Sequence, residues 1–446
     1  MSETDTQLER TLTLKAVVLF GLAYMTPLIV LGTFGVVAEA THGAVPTAYL
    51  LTTLAMLFTA YSYGIMSRRF PASGSAYTYV RQSIDDRVGF MVGWGVLLDY
   101  FFLPMVIWLI GAAYLNARFP EVPSWVFLLG FIGLTTALNA YGIKLAARVN
   151  SLLMVFQVLV VAFFVLLSLR HVFAAEGAEA LLSTTPFFND QSNLSSIAAG
   201  AAIAAYSFLG FDAVTTLTEE TIEPRRNIPR AIMLTALIGG GIYVAVGYTT
   251  QLVHPGAIFD DADSAAFEIA RTIGADLFGA IFLAGMVLAQ FTSGIAAQAS
   301  ASRLLYAMGR DAVLPRRLFG KLHPNFHTPV FNIVLTGAIG IVAIFLDVLS
   351  AASFINFGAF IAFTMVNVSV LFMYRRDRPT RDRYGVIGGL VIPGIGALVN
   401  LILLTQLDSH AVVLGLIWLA LGLAQLTYLT RGFTRQPPQV QFDDAE

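Results

Sequence analysis

Two acidic residues, Asp99 and Asp212, lie in the middle of long apolar segments of this 446-residue chain. The lysines and arginines all fall in loops, tails or segment ends. A carboxylate in hydrocarbon costs roughly 2.5–3.5 kcal/mol on insertion scales unless it faces a cavity or a cation. Two such acids without a fixed basic partner predict a site for a cation that arrives from outside. The alternative is that one or both are protonated residues that serve only packing.

Twelve apolar segments of membrane-spanning length make up most of the chain. The mean hydropathy is +0.74, 57% of the residues are apolar and only 12% are charged. This composition is typical of a polytopic membrane protein. We therefore predict an all-α membrane protein with twelve transmembrane helices, at residues 15–38, 44–66, 88–116, 124–142, 147–169, 194–218, 230–252, 275–302, 329–346, 350–374, 385–406 and 411–430.

The loops alternate in charge along the chain. Arginines and lysines concentrate in the loops after the second, fourth, sixth, eighth and tenth spans, whereas the alternate loops carry only Arg118, Arg170 and Arg271. The positive-inside rule places the basic loops in the cytoplasm. Because the number of spans is even, both termini are expected there as well, with cytoplasmic tails at residues 1–14 and 431–446. We expect a multi-pass protein of the inner (plasma) membrane.

The first and sixth spans are interrupted near their middles. Pro27 removes a backbone donor from the first, and Gly210 is the weak point of the sixth, just before Asp212. Paired, broken helices at corresponding positions of two halves indicate a transporter site at the bilayer midplane. Freed backbone groups are tolerated there where they line a cavity or meet a ligand. For either span alone, a kink without any site is the alternative.

At these residues the sequence resembles the amino acid–polyamine–organocation (APC) transporters, most closely the bacterial putrescine importers among them. The resemblance runs from about residue 10 to about residue 435 and is carried by residues 20–27, 70–79, 89–94, 98–100, 207–217, 228–232 and 302–311. It implies a LeuT-like five-plus-five inverted repeat with two extra C-terminal helices and with helices 1 and 6 discontinuous. It also implies proton-coupled uptake by alternating access. The transport core would be residues 15–374, and the accessory helices would lie in residues 375–430.

The first span departs from the family pattern in a way that bears on the substrate. Amino-acid carriers of this family usually have a glycine-rich turn there, whose N–H groups and helix N-terminus bind the substrate carboxylate. Here the stretch reads Met25-Thr26-Pro27, and Pro27 has no N–H. The loss favours a diamine, most of all putrescine, over an α-amino acid. Alternatively, Thr26 and Tyr24 replace the lost donors, and an amino acid still binds.

The resemblance also implies which residues bind the substrate. Asp212 matches the acid that follows the Gly-aromatic step of span six, and Asp99 matches the acid of a motif found in cationic-amino-acid carriers. Two carboxylates would bind the two ammonium groups of a diamine. The ring of Tyr206, at a gating aromatic position, would stabilise a desolvated ammonium. Further substrate-binding candidates, with ordinary packing as the alternative for the rings, are Tyr24, Thr26, Tyr100, Ser207 and Phe211.

The sequence leaves the coupling ion open. Gln157 stands where some proton-coupled relatives have a titratable Lys, and all six histidines fall in loops. Elimination then leaves Asp99, Asp212 and Glu219 as possible proton carriers. The alternative ion is Na⁺, held by first-span carbonyls and by the hydroxyls of Thr292 and Ser293. Glu219 and Glu220 begin a stretch dense in both charges, for which we expect either a cytoplasmic gate or a surface ion-pair cluster.

Other functional classes have little support in the sequence. The chain has no cysteine, and no metal-ligand cluster, phosphate loop or catalytic triad is evident, so we expect no enzyme, cofactor, metal or nucleic-acid partner. The expected partners are the small cationic substrate, a coupling proton and the lipid bilayer. A substrate sensor of the same fold is the remaining alternative, and the sequence does not indicate the oligomeric state.

Overall fold

The structure is a computed structural model that describes residues 10–71, 75–142 and 147–438, with the backbone alone for residues 147–151. Residues 1–9 and 439–446 of the predicted tails lie outside the described residues, as do residues 72–74 of the family-like stretch 70–79. The described parts of the chain contain helices and no β-strand, apart from one isolated bridge between Leu12 and Thr221.

The described helices follow one another along the whole chain. The α-helices are α1 Leu14–Tyr24, α2 Ile29–Gly32, α3 Phe34–Thr41, α4 Val45–Arg69, α5 Ser75–Ser83, α6 Asp86–Arg118, α7 Ser124–Ala140, α8 Ala147–Glu176, α9 Leu194–Ala204, α10 Pro224–Val253, α11 Ala265–Arg310, α12 Arg316–Phe319, α13 Val330–Gly340, α14 Val348–Arg376, α15 Arg378–Val386, α16 Ile392–Thr405 and α17 Ser409–Leu429. Short 3₁₀ segments lie at Glu179–Leu182, Ala205–Phe208, Asp212–Leu217, Ala262–Ser264 and Ile341–Phe345, and a π-helical turn at Ile387–Val391.

Ten helical stretches of the described chain are long and apolar enough to cross a membrane. Two shorter apolar stretches, Ser124–Ala140 and Val330–Phe345, coincide with the predicted fourth and ninth spans. Helices form here because the hydrocarbon offers no water to satisfy backbone N–H and C=O groups, which must therefore bond within each segment. The protein is an all-helical, multi-pass membrane protein.

The chain leaves helical geometry twice in the region of the first predicted span. α1 ends at Tyr24, α2 begins at Ile29 and α3 begins at Phe34. Between the first two, Thr26 has a left-handed backbone with φ 49°, and Pro27 cannot donate to the preceding turn. The carbonyl groups near this turn are therefore released from regular helical bonding.

The sixth predicted span also changes geometry at its middle. α9 ends at Ala204, a 3₁₀ turn carries the chain to Phe208, and a second 3₁₀ segment begins at Asp212. Gly210, between the two 3₁₀ segments, has φ +101°. Only glycine adopts such a conformation at low cost, because it has no Cβ.

A tyrosine of α10 connects the two irregular stretches. The hydroxyl of Tyr243 lies 3.0 Å from the carbonyl oxygen of Met25 and 2.7 Å from that of Ser207. Both carbonyls belong to the non-α segments, so one buried donor serves backbone oxygens that the helices leave unpaired. α10 therefore holds the two irregular stretches at a fixed separation.

Two later helices bend where predicted spans begin. α11 is kinked at Gly274 and Ala275, where the predicted eighth span begins. The part from Ala275 onward is already long enough to cross a bilayer, so we expect the part before the kink to lie outside the membrane-spanning segment. The eleventh span follows Gly385, which has φ 59°, and opens with the π-helical turn.

Polar contacts fix the C-terminal helices to the rest of the bundle. Trp94 of α6 and Trp418 of α17 each donate an indole N–H to the other's carbonyl oxygen, at 2.9 and 2.8 Å. The amides of Asn367 in α14 and Asn400 in α16 both donate to the buried hydroxyl of Thr59 in α4. Such bonds orient helices in a bilayer, where apolar burial alone distinguishes little between helix and lipid.

Candidate functional site

The carboxylate of Asp212 is held by donors from three parts of the chain. Its Oδ2 accepts a hydrogen bond from the Ser75 hydroxyl at the start of α5, at 3.1 Å, and from the Tyr63 hydroxyl of α4, at 3.4 Å. The backbone N–H groups of Asp212 and Ala213 also donate to it. Charge-assisted bonds of this kind fix a carboxylate in position. Asp212 is therefore an oriented acid that needs no basic side chain to hold it.

Asp99 has a different environment in α6. Its Oδ1 is buried and finds no hydrogen-bond partner among the described residues. One helical turn later, Pro104 lies inside the helix and has no N–H for the carbonyl of Tyr100. A buried acceptor left unsatisfied costs about 1–3 kcal/mol, and more if it is charged. Asp99 is thus the acid that gains most from a bound proton or cation.

The structure brings the two acids together with two tyrosines. The carboxyl groups of Asp99 and Asp212 are close enough to interact electrostatically. Tyr24 and Tyr100 are each close enough to interact with both acids. All four side chains are partly exposed although they sit in mid-span. We call Asp99, Asp212, Tyr24 and Tyr100 the acid–tyrosine cluster. In the described part of the chain, no Lys or Arg forms an ion pair with either acid.

Two further predicted residues lie at the edge of the acid–tyrosine cluster. The hydroxyl of Thr26 is partly buried and lies 3.3 Å from the hydroxyl of Ser293 in α11. Tyr206 is buried, within electrostatic interaction distance of Asp99. These positions are compatible with the substrate contacts predicted for Thr26 and Tyr206, which stay predictions.

Ser207 and Phe211 make packing contacts in this structure. The Ser207 hydroxyl lies 3.1 Å from the hydroxyl of Tyr49 and is buried with it. The Phe211 ring is fully buried, with its centroid 5.8 Å from that of Tyr63 and 5.3 Å from that of Phe363. Both side chains therefore contribute to packing between helices in this structure, and their contact with substrate stays a prediction.

The structure places Glu219 and Glu220 beyond the end of the Asp212–Leu217 segment. There the N–H of Leu12 donates to the carbonyl of Glu220, and the N–H of Ile222 donates to the carbonyl of Leu12, both at 2.9 Å. The segment before α1 is thus fastened to the loop before α10. Nearby, Arg226 and Glu223 form an exposed ion pair of 3.3 Å. The predicted gating role of the two glutamate side chains stays a prediction.

The backbone at the first-span turn offers few free donors. The N–H groups of Met25, Thr26 and Ile29 are used by the chain itself, donating to Gly21, Ala23 and Thr26 at 3.0, 3.2 and 2.9 Å. Pro27 has no N–H to offer. A substrate carboxylate would find little of the N–H cradle that a broken helix can otherwise present.

Three residues of this region were not singled out in the sequence. Ser75 falls in the family-like stretch 70–79, which was the only signal that could have found it. Tyr63 and Tyr243 are two of sixteen tyrosines, and no local pattern separates them from packing residues. Among the described residues, no group of three or more His, Cys, Asp or Glu side chains is placed to hold a metal ion.

Several known proteins are similar to this chain over most of its length. The family model for amino acid permeases matches residues 16–411. The low-affinity putrescine importer PlaP of Escherichia coli (strain K12) is 42% identical over 98% of this chain and 97% of its own length. The methylthioribose transporter of Bacillus subtilis is 26% identical, covering 87% of this chain and 86% of its own. Human cationic amino acid transporter 4 is 28% identical over 85% of this chain and 62% of its own.

Proposed function

The chain belongs to the amino acid permease family and is thus a membrane transporter, not an enzyme, and we propose that it imports the diamine putrescine by proton-coupled alternating access. PlaP of Escherichia coli, which aligns with nearly the whole of this chain, is named a putrescine importer, and this similarity supports putrescine as the substrate. The two relatives of lower identity reported above carry different cargoes by name, so the substrate is also argued from the site itself.

The observation that carries the proposal is the acid–tyrosine cluster beside a turn with few free N–H donors. Asp99 and Asp212 supply two carboxyl groups in mid-span, with no basic side chain paired to either in the described part of the chain. One ammonium group of a diamine would pair with the Asp212 carboxylate, and the other would donate a hydrogen bond to the Asp99 carboxyl group, which would carry the coupling proton. An α-amino acid would bring a carboxylate into the same space, where it would meet like charge and few donors.

We propose the twelve-span architecture on the same grounds. The ten long apolar helices and the two shorter ones coincide with the predicted spans, and the non-α stretches fall in spans one and six, which correspond in a five-plus-five inverted repeat. In this arrangement residues 15–374 form the transport core and residues 375–430 the accessory helices. The basic loops would then face the cytoplasm with both termini, in the plasma membrane.

We assign the coupling proton to Asp99. Its unsatisfied Oδ1 makes it the acid that gains most from protonation, whereas Asp212 already has donors from Ser75 and Tyr63. The Thr292 hydroxyl donates to carbonyls of its own helix, and the Ser293 hydroxyl lies 3.3 Å from that of Thr26. A hydroxyl that donates its proton keeps oxygen lone pairs for a cation, so our preference for a proton over Na⁺ rests on Asp99.

We propose that Glu219 and Glu220 belong to the cytoplasmic gate. The backbone bonds of Leu12 to Glu220 and Ile222 join the start of the first span to the end of the sixth. Opening toward the cytoplasm would have to break or move this junction. The two glutamates sit where such a movement would change their surroundings.

Uptake of labelled putrescine into proteoliposomes tests the proposal directly. We expect uptake to rise with an inward proton gradient, to collapse with a protonophore and to change little when K⁺ replaces Na⁺. Unlabelled diamines should compete, and alanine or glutamate should not. Competition by those amino acids as strong as that of putrescine would refute the substrate assignment, and strict Na⁺ dependence would refute the proton coupling. Binding without uptake would support the sensor alternative.

A further inference from the structure

A basic cavity lies apart from the acid–tyrosine cluster, at the end of the bundle where α4 and α14 finish and α10 and α15 begin. Its volume is about 480 Å³, within the range of roughly 300–1,000 Å³ that small-molecule sites occupy. Among the described residues that line it, Asp377 is the one acid. The basic residues that line it are Arg68, Arg69, Arg225, Arg226 and Arg383.

Most of this positive charge is not neutralised by the part of the protein that the structure describes. Arg69 lies 3.7 Å from Asp377, and Arg226 pairs with Glu223 outside the cavity. The other three guanidinium groups of the cavity have no carboxylate partner among the residues that the structure describes. Like charges gathered around one cavity repel one another unless an anion lies between them.

Arg68 is oriented by two neutral acceptors. Its Nε donates to the carbonyl of Arg225 at 3.1 Å, and its Nη1 lies 3.5 Å from the hydroxyl of Tyr384. Neither contact cancels its charge. A guanidinium group held in this way keeps further N–H donors available for a phosphate, which arginine binds through paired hydrogen bonds.

An apolar groove continues from the basic cavity. The groove has a volume of about 470 Å³ and shares Ile65, Arg68 and Tyr384 with the cavity. It runs between α4 and α10, where it is lined by Ala60 and Leu234 among other residues. From Arg68 to Ala60 the groove follows α4 for about 12 Å, at the usual rise of an α-helix. It therefore leads from the helix ends toward the hydrocarbon core.

We propose that an anionic phospholipid binds here, with its phosphate in the basic cavity and an acyl chain in the apolar groove. The charge of the cavity complements a phosphodiester, and the continuous groove matches the attached chain. Basic pockets between transmembrane helices near the cytoplasmic surface are a recurrent form of lipid headgroup site. A free phosphate would account for the cavity but not for the groove. The lipid would join α4 and α10 to α15.

Native mass spectrometry of the purified full-length protein tests this site. The probes are dioleoylphosphatidylglycerol, dioleoylphosphatidylcholine with the same chains, and glycerol phosphate without chains. We expect the anionic lipid to bind at least tenfold more tightly than either of the others. Equal binding of the zwitterionic lipid would refute charge recognition, and equal binding of glycerol phosphate would refute the lipid assignment.

Paired variants locate the binding. Arg225→Gln with Arg383→Gln should weaken phosphatidylglycerol binding at least tenfold, since each basic residue near an anionic lipid contributes about 1 kcal/mol. The matched control is Arg316→Gln with Arg317→Gln, which removes the same charge from exposed residues outside the cavity. Equal losses in the two double variants would overturn the proposal. Both double variants alter exposed side chains, and their folding is checked by thermal unfolding.

Discussion

The ring of Tyr24 occupies the space that a side chain on Gly210 would need. A Cβ built on Gly210 overlaps the Tyr24 ring, and the backbone there has φ +101°. Gly210 precedes Asp212 in the sixth span, and Tyr24 ends α1 in the first. The two irregular stretches therefore touch through a residue that has no side chain, next to the acid–tyrosine cluster.

Replacing Gly210 should damage the site more than replacing a glycine whose added Cβ would have open space around it. Gly210→Ala places alanine in a left-handed backbone conformation, which costs about 1–2 kcal/mol. Its methyl group also overlaps the Tyr24 ring, which costs about 1–3 kcal/mol. Gly241→Ala is the control, because no atom lies within 4 Å of its Cβ and alanine favours the helix. We expect reduced apparent Tm and putrescine uptake for the first variant only. Normal values for both would show that the close approach of Tyr24 is unnecessary.

Asp212→Asn keeps the shape of the side chain and removes its charge. If that charge pairs with a desolvated ammonium, putrescine binding should weaken by about 2–5 kcal/mol, a thirtyfold or greater loss of affinity. Asp212→Glu should be milder but still harmful, because the added methylene displaces the carboxylate from Ser75 and Tyr63. A packing role predicts the reverse order. Equilibrium binding of putrescine to the purified variants distinguishes the two roles. Near-normal affinity of the Asn variant would refute the substrate role.

Asp99→Asn should separate coupling from transport. The amide cannot take up a proton, so uptake should no longer accelerate with an inward proton gradient, while exchange of putrescine across the membrane without a gradient should persist at a reduced rate. Both are measured in the same proteoliposomes. If the Asn variant still accumulates putrescine against its gradient when driven by protons, the coupling acid is Asp212 or Glu219 instead.

Asp263, in the loop before the kink of α11, should make stability depend on pH. Burial raises the pKa of Asp263 to about 7, together with the negative charge of Asp261 and the weaker effects of Asp347 and Glu39; the hydrogen bond from the Val348 N–H acts in the opposite direction. The folded protein therefore binds this proton more tightly than the unfolded chain. The resulting stability is complete below about pH 4, the ordinary value for an aspartate, and is lost as the pH rises through about 7.

Removing this carboxyl group should abolish that dependence. Above pH 7, Asp263→Asn should be more stable than the parent by about 1–2 kcal/mol, allowing for solvent screening of an acid that is not fully buried. Asp260→Asn, at an exposed position of the same loop, should give no comparable gain. Apparent Tm values across acidic and alkaline buffers measure this. A parent protein equally stable at pH 6 and pH 8 would contradict the prediction.

Local sequence patterns alone indicated the membrane segments, the family and the two acids. Long apolar stretches must become helices in a bilayer, because backbone groups find no other partners there. A charge in such a stretch is unusual enough to mark Asp99 and Asp212 without any structure. Pro27 and Gly210 likewise carry their own signal, since one lacks a donor and the other lacks a side chain.

Only the tertiary structure decided how these residues are used. Ser75 and Asp212 are 137 positions apart, and their hydrogen bond depends on how α5 packs against the sixth span. Hydropathy likewise cannot separate the partly exposed Tyr24 and Tyr100 from the buried Phe211, because the difference lies in which neighbouring helices surround each ring. Side-chain partners across helices are set by three-dimensional packing, whereas helix formation in a membrane is a local property of the chain.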